Sequence, residues 1–229
     1  MSEAELRRSD LRRSDLRRSD LGEEIVRVAQ AMDRAGFCPS KSGNVSARVA
    51  GGFIITPSGL PYARTTPDDL VLLSDTGEVR AGERKPSSEW PFHAAIYAGR
   101  PEVMAVVHDH SPRATALSCA RRGIPAFHYM IALAGGADVR CAEYATFGTD
   151  ALAANAVAAL DGRKAVLLAN HGVIAVGGTL EGAYTIASEV ENLAGQYLAI
   201  LAAGLDPVIL DEAEMARVSE KFAGYGKVG

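Results

Sequence analysis

Two short apolar runs on either side of a tight turn constrain the fold of this chain most. Residues 166–169 and 173–176 are wholly apolar, and the letters NHG separate them. This pattern favours a strand, a tight turn and a second strand. Helical patterns lie before and after the two runs, without regular alternation of one strand and one helix. The sequence therefore predicts an α/β domain in which helices cover a central sheet with some antiparallel pairing.

Other periodic segments extend this prediction along the chain. Apolar runs predict three more strands, at residues 53–56, 70–74 and 103–110. Apolar residues at helical spacing predict helices at residues 23–35, 113–121, 150–160, 180–203 and 211–222. A further helix is predicted to begin at a cap on Ser87 or Ser88 and to run to about residue 98. The polar segment PSKSGNVS, residues 39–46, is interpreted as a loop.

Composition excludes several classes of protein. A chain of 229 residues, 48% of them apolar, buries one sizeable core, which favours a single domain. The formal charge of -4 gives no general attraction to nucleic acid. No apolar run reaches the roughly 18 residues of a membrane span. Three widely spaced cysteines favour a cytoplasmic protein with reduced, buried thiols.

The first 20 residues differ from the rest of the chain. The unit LRRSD occurs three times between residues 6 and 20. A period of five residues turns by about 140° per unit on an α-helix, so the leucines of the repeat do not share one face. Residues 1–20 are therefore predicted to form a flexible, solvated extension, and residues 21–229 the folded domain.

The segment VVHDHSP places two histidines at the end of the predicted strand 103–110. Successive side chains of a strand alternate between its faces, so His108 and His110 project to one side and Asp109 to the other. Two imidazoles on one face have the geometry of a chelate. The same pair also fits two hydrogen-bonded histidines at a strand end, and the spacing alone does not separate these interpretations.

A third histidine favours the metal site. His171 lies in the NHG turn between two buried runs, where a loop residue can be directed into a cleft. Three imidazoles suffice for a catalytic Zn²⁺ site that leaves a coordination position for substrate. His93 is expected at the surface or in the core, and no spacing argument applies to His128.

Glu89 is the candidate acid or base, because it follows two serines at the predicted start of a helix. It is equally an ordinary first-turn glutamate that favours the helix dipole. Three small polar segments offer backbone N–H groups and hydroxyls that suit a phosphate, although each alone is typical of a turn or a cap. These segments are SGNVS (residues 42–46), TPSG (residues 56–59) and PSS (residues 86–88).

Seven motifs occur in the order found in the class II aldolase/adducin family, which residues 21–226 resemble. They are SGNVSAR, ITPSGLPY, KPSSEWPFH, VVHDHSP, PAFHYMIALAGG, CAEYATFGT and LLANHGVIAVG. The resemblance implies a single α/β domain with a central, mainly antiparallel sheet covered by helices. It also implies a ring-shaped homotetramer with active sites between neighbouring subunits.

The resemblance further implies one Zn²⁺ per subunit, held by His108, His110 and His171, with Glu89 near or on the metal as catalytic residue. Phosphate-binding positions of the family match Gly43, Asn44, Ser58, Gly59, Ser87 and Ser88, with Thr56 shaping one of those loops. Tyr129 matches a proton donor that reaches the next subunit's site. Tyr225 matches a mobile C-terminal tyrosine, and Phe147 a residue at the aldehyde end.

The implied activity is reversible cleavage of a ketose 1-phosphate, L-fuculose 1-phosphate or a related deoxy sugar phosphate, to dihydroxyacetone phosphate and an aldehyde. Aldolases for 5-deoxyribulose or methylthioribulose 1-phosphate have similar motifs, because they differ at the aldehyde end. A ribulose 5-phosphate 4-epimerase and a methylthioribulose 1-phosphate dehydratase use the same enolate chemistry. An adducin-like scaffold without metal chemistry is the alternative that is not an enzyme.

Overall fold

A computed structural model describes residues 20–224 of the chain. The LRRSD repeat, apart from Asp20, and the predicted site residue Tyr225 lie outside the described residues. Within them a nine-stranded sheet has the strand order β4-β3-β2-β1-β5-β9-β8-β7-β6. The strands are β1 (Asn44–Val49), β2 (Gly52–Ile55), β3 (Val71–Ser74), β4 (Val79–Ala81), β5 (Ala105–Asp109), β6 (Ile124–Pro125), β7 (Asp138–Ala142), β8 (Ala165–Leu168) and β9 (Gly172–Gly177).

Six α-helices of the described chain cover this sheet. They are α1 (Asp20–Arg34), α2 (Trp90–Gly99), α3 (Pro112–Cys119), α4 (Asp150–Ala159), α5 (Leu180–Ala202) and α6 (Glu212–Gly224). No helix in residues 20–224 combines the length and the low polarity that crossing a bilayer requires. The predicted sheet covered by helices is therefore confirmed.

Strand pairing is antiparallel, except that β7 and β8 run parallel. The runs around NHG form the hairpin of β8 and β9, in which Leu168 pairs with Gly172. Strand β5 lies between β1 and β9, so its carboxyl end is beside the start of both neighbours. Histidines at the end of β5 are thereby brought next to the β8–β9 turn.

Alternating side chains of the sheet pack into two cores. Val107 of β5 belongs to the core beneath α1, α3 and α5, whereas Val106 belongs to the core beneath α2 and α4. Burial of a Val, Leu or Ile side chain contributes about 1.5–3 kcal/mol, so both faces of the central strands stabilise the fold. His108 lies on the same face as Val106 and contacts Phe92 of α2 at a ring-centroid distance of 5.3 Å.

Four strands were not predicted: β1, β4, β6 and β7. The polar segment interpreted as a loop contains the start of β1, whose Asn44 and Ser46 are buried. Strand β1 was not predicted, because its buried side chains are polar and form hydrogen bonds instead of apolar contacts. Strands β4, β6 and β7 are short or charged.

The prediction that all three cysteines are buried was wrong for two of them. Cys38 is buried, Cys119 is exposed and Cys141 is half-buried.

Candidate active site

Three histidines converge where β5 ends and β9 begins. One imidazole nitrogen from each of His108, His110 and His171 lies within 4.8 Å of the others. The Nε2 atoms of His108 and His110 are 3.1 Å apart. His110 directly follows β5, and His171 lies in the β8–β9 turn. The structure therefore brings together the three residues that the sequence singled out.

Backbone geometry holds the β8–β9 turn close to β5. A Cβ atom on Gly172 would lie 2.3 Å from the Asp109 carbonyl oxygen, so a larger residue does not fit. Asn170, the residue before His171, adopts a left-handed conformation with φ of 54°. The Asn170 backbone N–H donates to Ser118 O and the Arg121 guanidinium donates to its side-chain oxygen, which ties the turn to the end of α3.

Glu89 contacts two of the three histidines. It is the residue before α2, not a first-turn residue as predicted, and it is 8% exposed. Its Oε2 lies 3.2 Å from His108 Nε2, and its Oε1 lies 3.0 Å from His171 Nε2. Burial alone would raise the pKa of this carboxyl, but His108 and His171 outweigh burial and hold the pKa well below its usual range. Glu89 is therefore ionised.

The donor set fits a divalent cation. His108 Nδ1 donates to the Val173 carbonyl oxygen at 2.8 Å, so Nε2 faces the cluster, where a bound cation would replace its proton. Burial, together with His108 and His171, lowers the pKa of His110 to about 3, so its imidazole is neutral. Three imidazoles and one carboxylate are ligands that zinc and neighbouring transition metals prefer. The cluster of His108, His110 and His171, with Glu89, is thus a candidate metal centre.

A cavity of about 300 Å³ opens above the candidate metal centre. All six predicted phosphate-binding residues line it: Gly43, Asn44, Ser58, Gly59, Ser87 and Ser88. Thr56 does not line it but supports it, since its hydroxyl accepts the Val45 backbone N–H at 3.2 Å. Asn44 belongs to β1, and Gly43 precedes it with φ of 80°. Small residues and hydroxyls thus surround a space next to a cation site.

The predicted aromatic residues are divided between two places. Phe147 lines the cavity and is 64% exposed. Tyr129 lies in a separate groove, where its ring stacks on Phe222 at a centroid distance of 6.2 Å. One chain therefore does not bring Tyr129 to its own cavity, and a role in the next subunit's site stays a prediction.

Sequence reasoning missed several residues at the site. Lys41, Tyr144 and Asn170 also line the cavity. Asn170 is adjacent to a predicted ligand, whereas no spacing pointed to Lys41. His93, expected at the surface or in the core, is fully buried and bonded to Asn44 and Ser46. The sequence signal for His93 is its position four residues after Glu89, about one helical turn further along the chain.

Asp109, between the two histidines, faces the opposite side of β5 as strand alternation predicts. It is fully buried, and its Oδ1 accepts the Ser111 backbone N–H at 2.8 Å. Burial raises the pKa of Asp109 to about 6. The side chain therefore shapes the chain between β5 and α3 rather than joining the histidine cluster.

The chain matches a known protein family and several relatives of known name. The family described as class II aldolase and adducin N-terminal domain matches residues 23–198. A 5-methylthioribulose-1-phosphate/5-deoxyribulose-1-phosphate aldolase of Rhodospirillum rubrum is 52% identical over 202 residues, which are 88% of this chain and 90% of that protein. An L-fuculose phosphate aldolase of Escherichia coli is 47% identical over 207 residues, 90% of this chain and 95% of that protein.

Solved structures agree with the sequence comparison. An L-fuculose 1-phosphate aldolase superposes with a TM-score of 0.86 at 42% identity, covering 90% of this chain and 97% of that one. An L-fuculose 1-phosphate aldolase from Thermus thermophilus has a TM-score of 0.72 at 28% identity, covering 82% of this chain and 98% of that one. The chain belongs to the class II aldolase and adducin family.

Proposed function

We propose that this aldolase uses Zn²⁺ to cleave a ketose 1-phosphate reversibly to dihydroxyacetone phosphate and an aldehyde. The observation that carries the proposal is the contact of Glu89 with His108 and His171 at the base of a cavity lined by small polar residues. Metal dependence belongs to the class II aldolases, and the relatives are named as sugar phosphate aldolases. Zinc is the metal that three imidazoles favour.

Each residue of the centre has a proposed task. His108, His110 and His171 would hold the ion, and Glu89 is the carboxylate beside them that could join them as a ligand. A bound zinc ion would supply Lewis acid chemistry, stabilising the negative charge that cleavage leaves on the dihydroxyacetone phosphate fragment. Glu89, ionised and close to the cluster, is suited to move a proton at C3 of that fragment.

The phosphate of the substrate is proposed to occupy the part of the cavity lined by Gly43, Asn44, Ser58, Gly59, Ser87 and Ser88. Backbone N–H groups, hydroxyls and an amide donate hydrogen bonds to such an anion. Lys41, at the cavity wall, contributes a positive charge. Holding the phosphate fixes the reacting bond beside Glu89, which removes part of the entropy loss from the transition state.

The aldehyde end is proposed to lie toward Phe147 and Tyr144. In a homotetramer with sites between subunits, Tyr129 of the neighbouring subunit would exchange a proton with the aldehyde-derived oxygen, and Tyr225 is proposed as a second catalytic tyrosine. Tyr129 supports this role because its ring is 50% exposed and lies outside its own cavity.

Two substrates are supported by different observations. The motifs YATFGT and HYMIALAGG favour an aldolase over the epimerase and the dehydratase. The 47% identical relative is named for L-fuculose phosphate, which makes this or a related deoxy sugar phosphate the first candidate. The 52% identical relative is named for 5-methylthioribulose and 5-deoxyribulose 1-phosphates, which makes these the second candidate. Both give dihydroxyacetone phosphate, and they differ in the aldehyde.

Zinc-loaded protein incubated with fuculose, 5-deoxyribulose and methylthioribulose 1-phosphates tests the proposal, with dihydroxyacetone phosphate followed by a coupled dehydrogenase. Release from at least one of them is expected, and the highest kcat/KM identifies the substrate. Absence of release from all three would contradict the proposal. Ribulose 5-phosphate is the comparison substrate: isomerisation without cleavage would favour a 4-epimerase, and no bound metal and no turnover would favour a scaffold.

A further inference from the structure

A row of polar side chains on α2 faces a row on β1 behind the cavity. Glu89, His93 and Tyr97 are four residues apart around α2, and Asn44 and Ser46 are two residues apart on β1. Four helical residues rise about 6 Å and two strand residues about 6.7 Å. The two rows therefore have nearly the same spacing, and each residue of the β1 row lies between two residues of the α2 row.

These rows form one chain of hydrogen bonds. Asn44 Nδ2 donates to Glu89 Oε2 at 3.0 Å, and Asn44 Oδ1 lies 2.5 Å from His93 Nε2. His93 Nδ1 lies 2.6 Å from Ser46 Oγ, which lies 2.8 Å from the Tyr97 hydroxyl. All five residues are buried.

The directions of these bonds follow from the Asn44 amide. Its nitrogen donates to Glu89 Oε2, so its oxygen is the atom that faces His93. His93 Nε2 must then carry a proton and donate it. Complete burial keeps the ring neutral by lowering the pKa of His93 to about 3, so Nδ1 accepts from Ser46.

Aromatic packing holds the His93 ring in place. It stacks on Phe92 at a centroid distance of 4.7 Å and on Phe53 at 6.5 Å. A donor fixed in this way restrains the Asn44 amide, which lines the cavity. Turning the amide over would direct its oxygen at Glu89 and at any anion in the cavity.

We propose that His93 is a positioning residue that fixes the Asn44 amide so that its nitrogen serves both Glu89 and a phosphate in the cavity. The Asn44 amide nitrogen carries two hydrogens, and Glu89 accepts one of them, which leaves one for a ligand. This inference rests on the proposed function only in taking phosphate as that ligand.

Two substitutions at the same position separate positioning from packing. In His93→Gln the amide nitrogen reaches the place of Nε2 and still donates to Asn44. In His93→Asn the side chain is shorter and reaches only the place of Nδ1, near Ser46. Both replace a buried ring by a neutral amide, so both lose the ring stacking. Tyr97→Phe removes a hydroxyl at the far end of the chain of bonds and is the control for stability.

Inorganic phosphate is titrated calorimetrically into the zinc-loaded full-length protein and the three variants, with metal content measured in each. His93→Asn is expected to bind phosphate about 10-fold more weakly and His93→Gln to stay within about 3-fold of the parent, at equal zinc content. In steady-state cleavage, KM for the ketose 1-phosphate should rise in His93→Asn more than kcat falls. Tyr97→Phe should unfold at a lower temperature and bind phosphate as the parent does.

Equal phosphate affinity in His93→Asn and His93→Gln would overturn the proposal, because the donor to Asn44 would then make no difference. A parent protein that binds no phosphate would overturn it as well. Phosphate binding that follows the expected pattern in a protein that cleaves no ketose phosphate would instead contradict the proposed function and leave the role of His93 supported.

Discussion

At the scale of single residues, the structure separates two interpretations of Glu89 that the sequence left open. Glu89 precedes α2 instead of lying in its first turn, and its carboxylate contacts His108 and His171. Strand alternation was enough to place His108 and His110 on one side. The direction of Glu89 was not predictable, because it depends on the packing of α2 against β1 rather than on local spacing.

Glu89→Gln tests the charge of this residue while keeping its size. We expect cleavage to fall by about 10²-fold or more, because an amide does not accept a proton at C3. Zinc content should stay unchanged, since the three histidines remain. Metal analysis and steady-state kinetics measure both effects, and turnover near that of the parent would remove Glu89 from the mechanism.

At the scale of elements, the β8–β9 hairpin was predictable and β1 was not. Two apolar runs around NHG define the hairpin locally. Strand β1 begins with Asn44 and Ser46, whose burial depends on partners 45 to 51 positions away on α2. Hydrophobic periodicity does not reveal hydrogen bonds between distant segments. The polar sequence of β1 was therefore interpreted as a loop, although the strand is buried.

Gly172→Ala tests the close contact between the hairpin turn and β5. The new methyl group would meet the Asp109 carbonyl oxygen, so the turn must move and His171 with it. We expect a loss of about 1–3 kcal/mol in the free energy of unfolding and a reduced zinc content. Urea denaturation and metal analysis check these two effects.

Gly178→Ala is the matched control, because nothing lies within 4 Å of a Cβ atom at that position. Its free energy of unfolding should stay within about 0.5 kcal/mol of the parent. Equal stability of the two alanine variants would show that the turn tolerates displacement and would contradict the packing argument.

At the scale of the whole molecule, the candidate centre joins segments that are far apart in sequence. Glu89 precedes α2, His108 is the last but one residue of β5, and His171 lies between β8 and β9. The sequence predicted the six described α-helices and the antiparallel hairpin, but the strand order depends on contacts between both halves of the chain. Resemblance to a family implied a mainly antiparallel sheet, and neither it nor local periodicity gave the strand order.

Removal of the metal should therefore affect stability as well as activity. An ion bound to the folded state stabilises it by mass action, by about 2.7 kcal/mol at a free concentration 100 times its Kd. We expect a chelator to abolish cleavage and to lower the melting temperature, and added Zn²⁺ to restore both. Full activity in a sample shown to be free of metal would reject the metal-dependent scheme.

The proposed sharing of the site between subunits predicts complementation. The Glu89→Gln and Tyr129→Phe proteins, unfolded together and refolded, should regain about a quarter of the parent activity, because random assembly gives that share of sites both intact residues. Light scattering tests for the proposed tetramer, and each variant refolded alone is the control. Activity no higher than that of the separate variants would place Tyr129 outside the neighbour's site.

The connection between the parallel strands β7 and β8 carries the two cavity residues proposed for the aldehyde end. A parallel connection must cross from one end of the sheet to the other, and here residues 143–164, including α4, make that crossing. Tyr144 and Phe147 lie at its start, outside the antiparallel strands that carry the candidate metal ligands. Natural selection, or a protein engineer, could therefore vary this segment to change the proposed aldehyde end while the strands that carry the three histidines are kept.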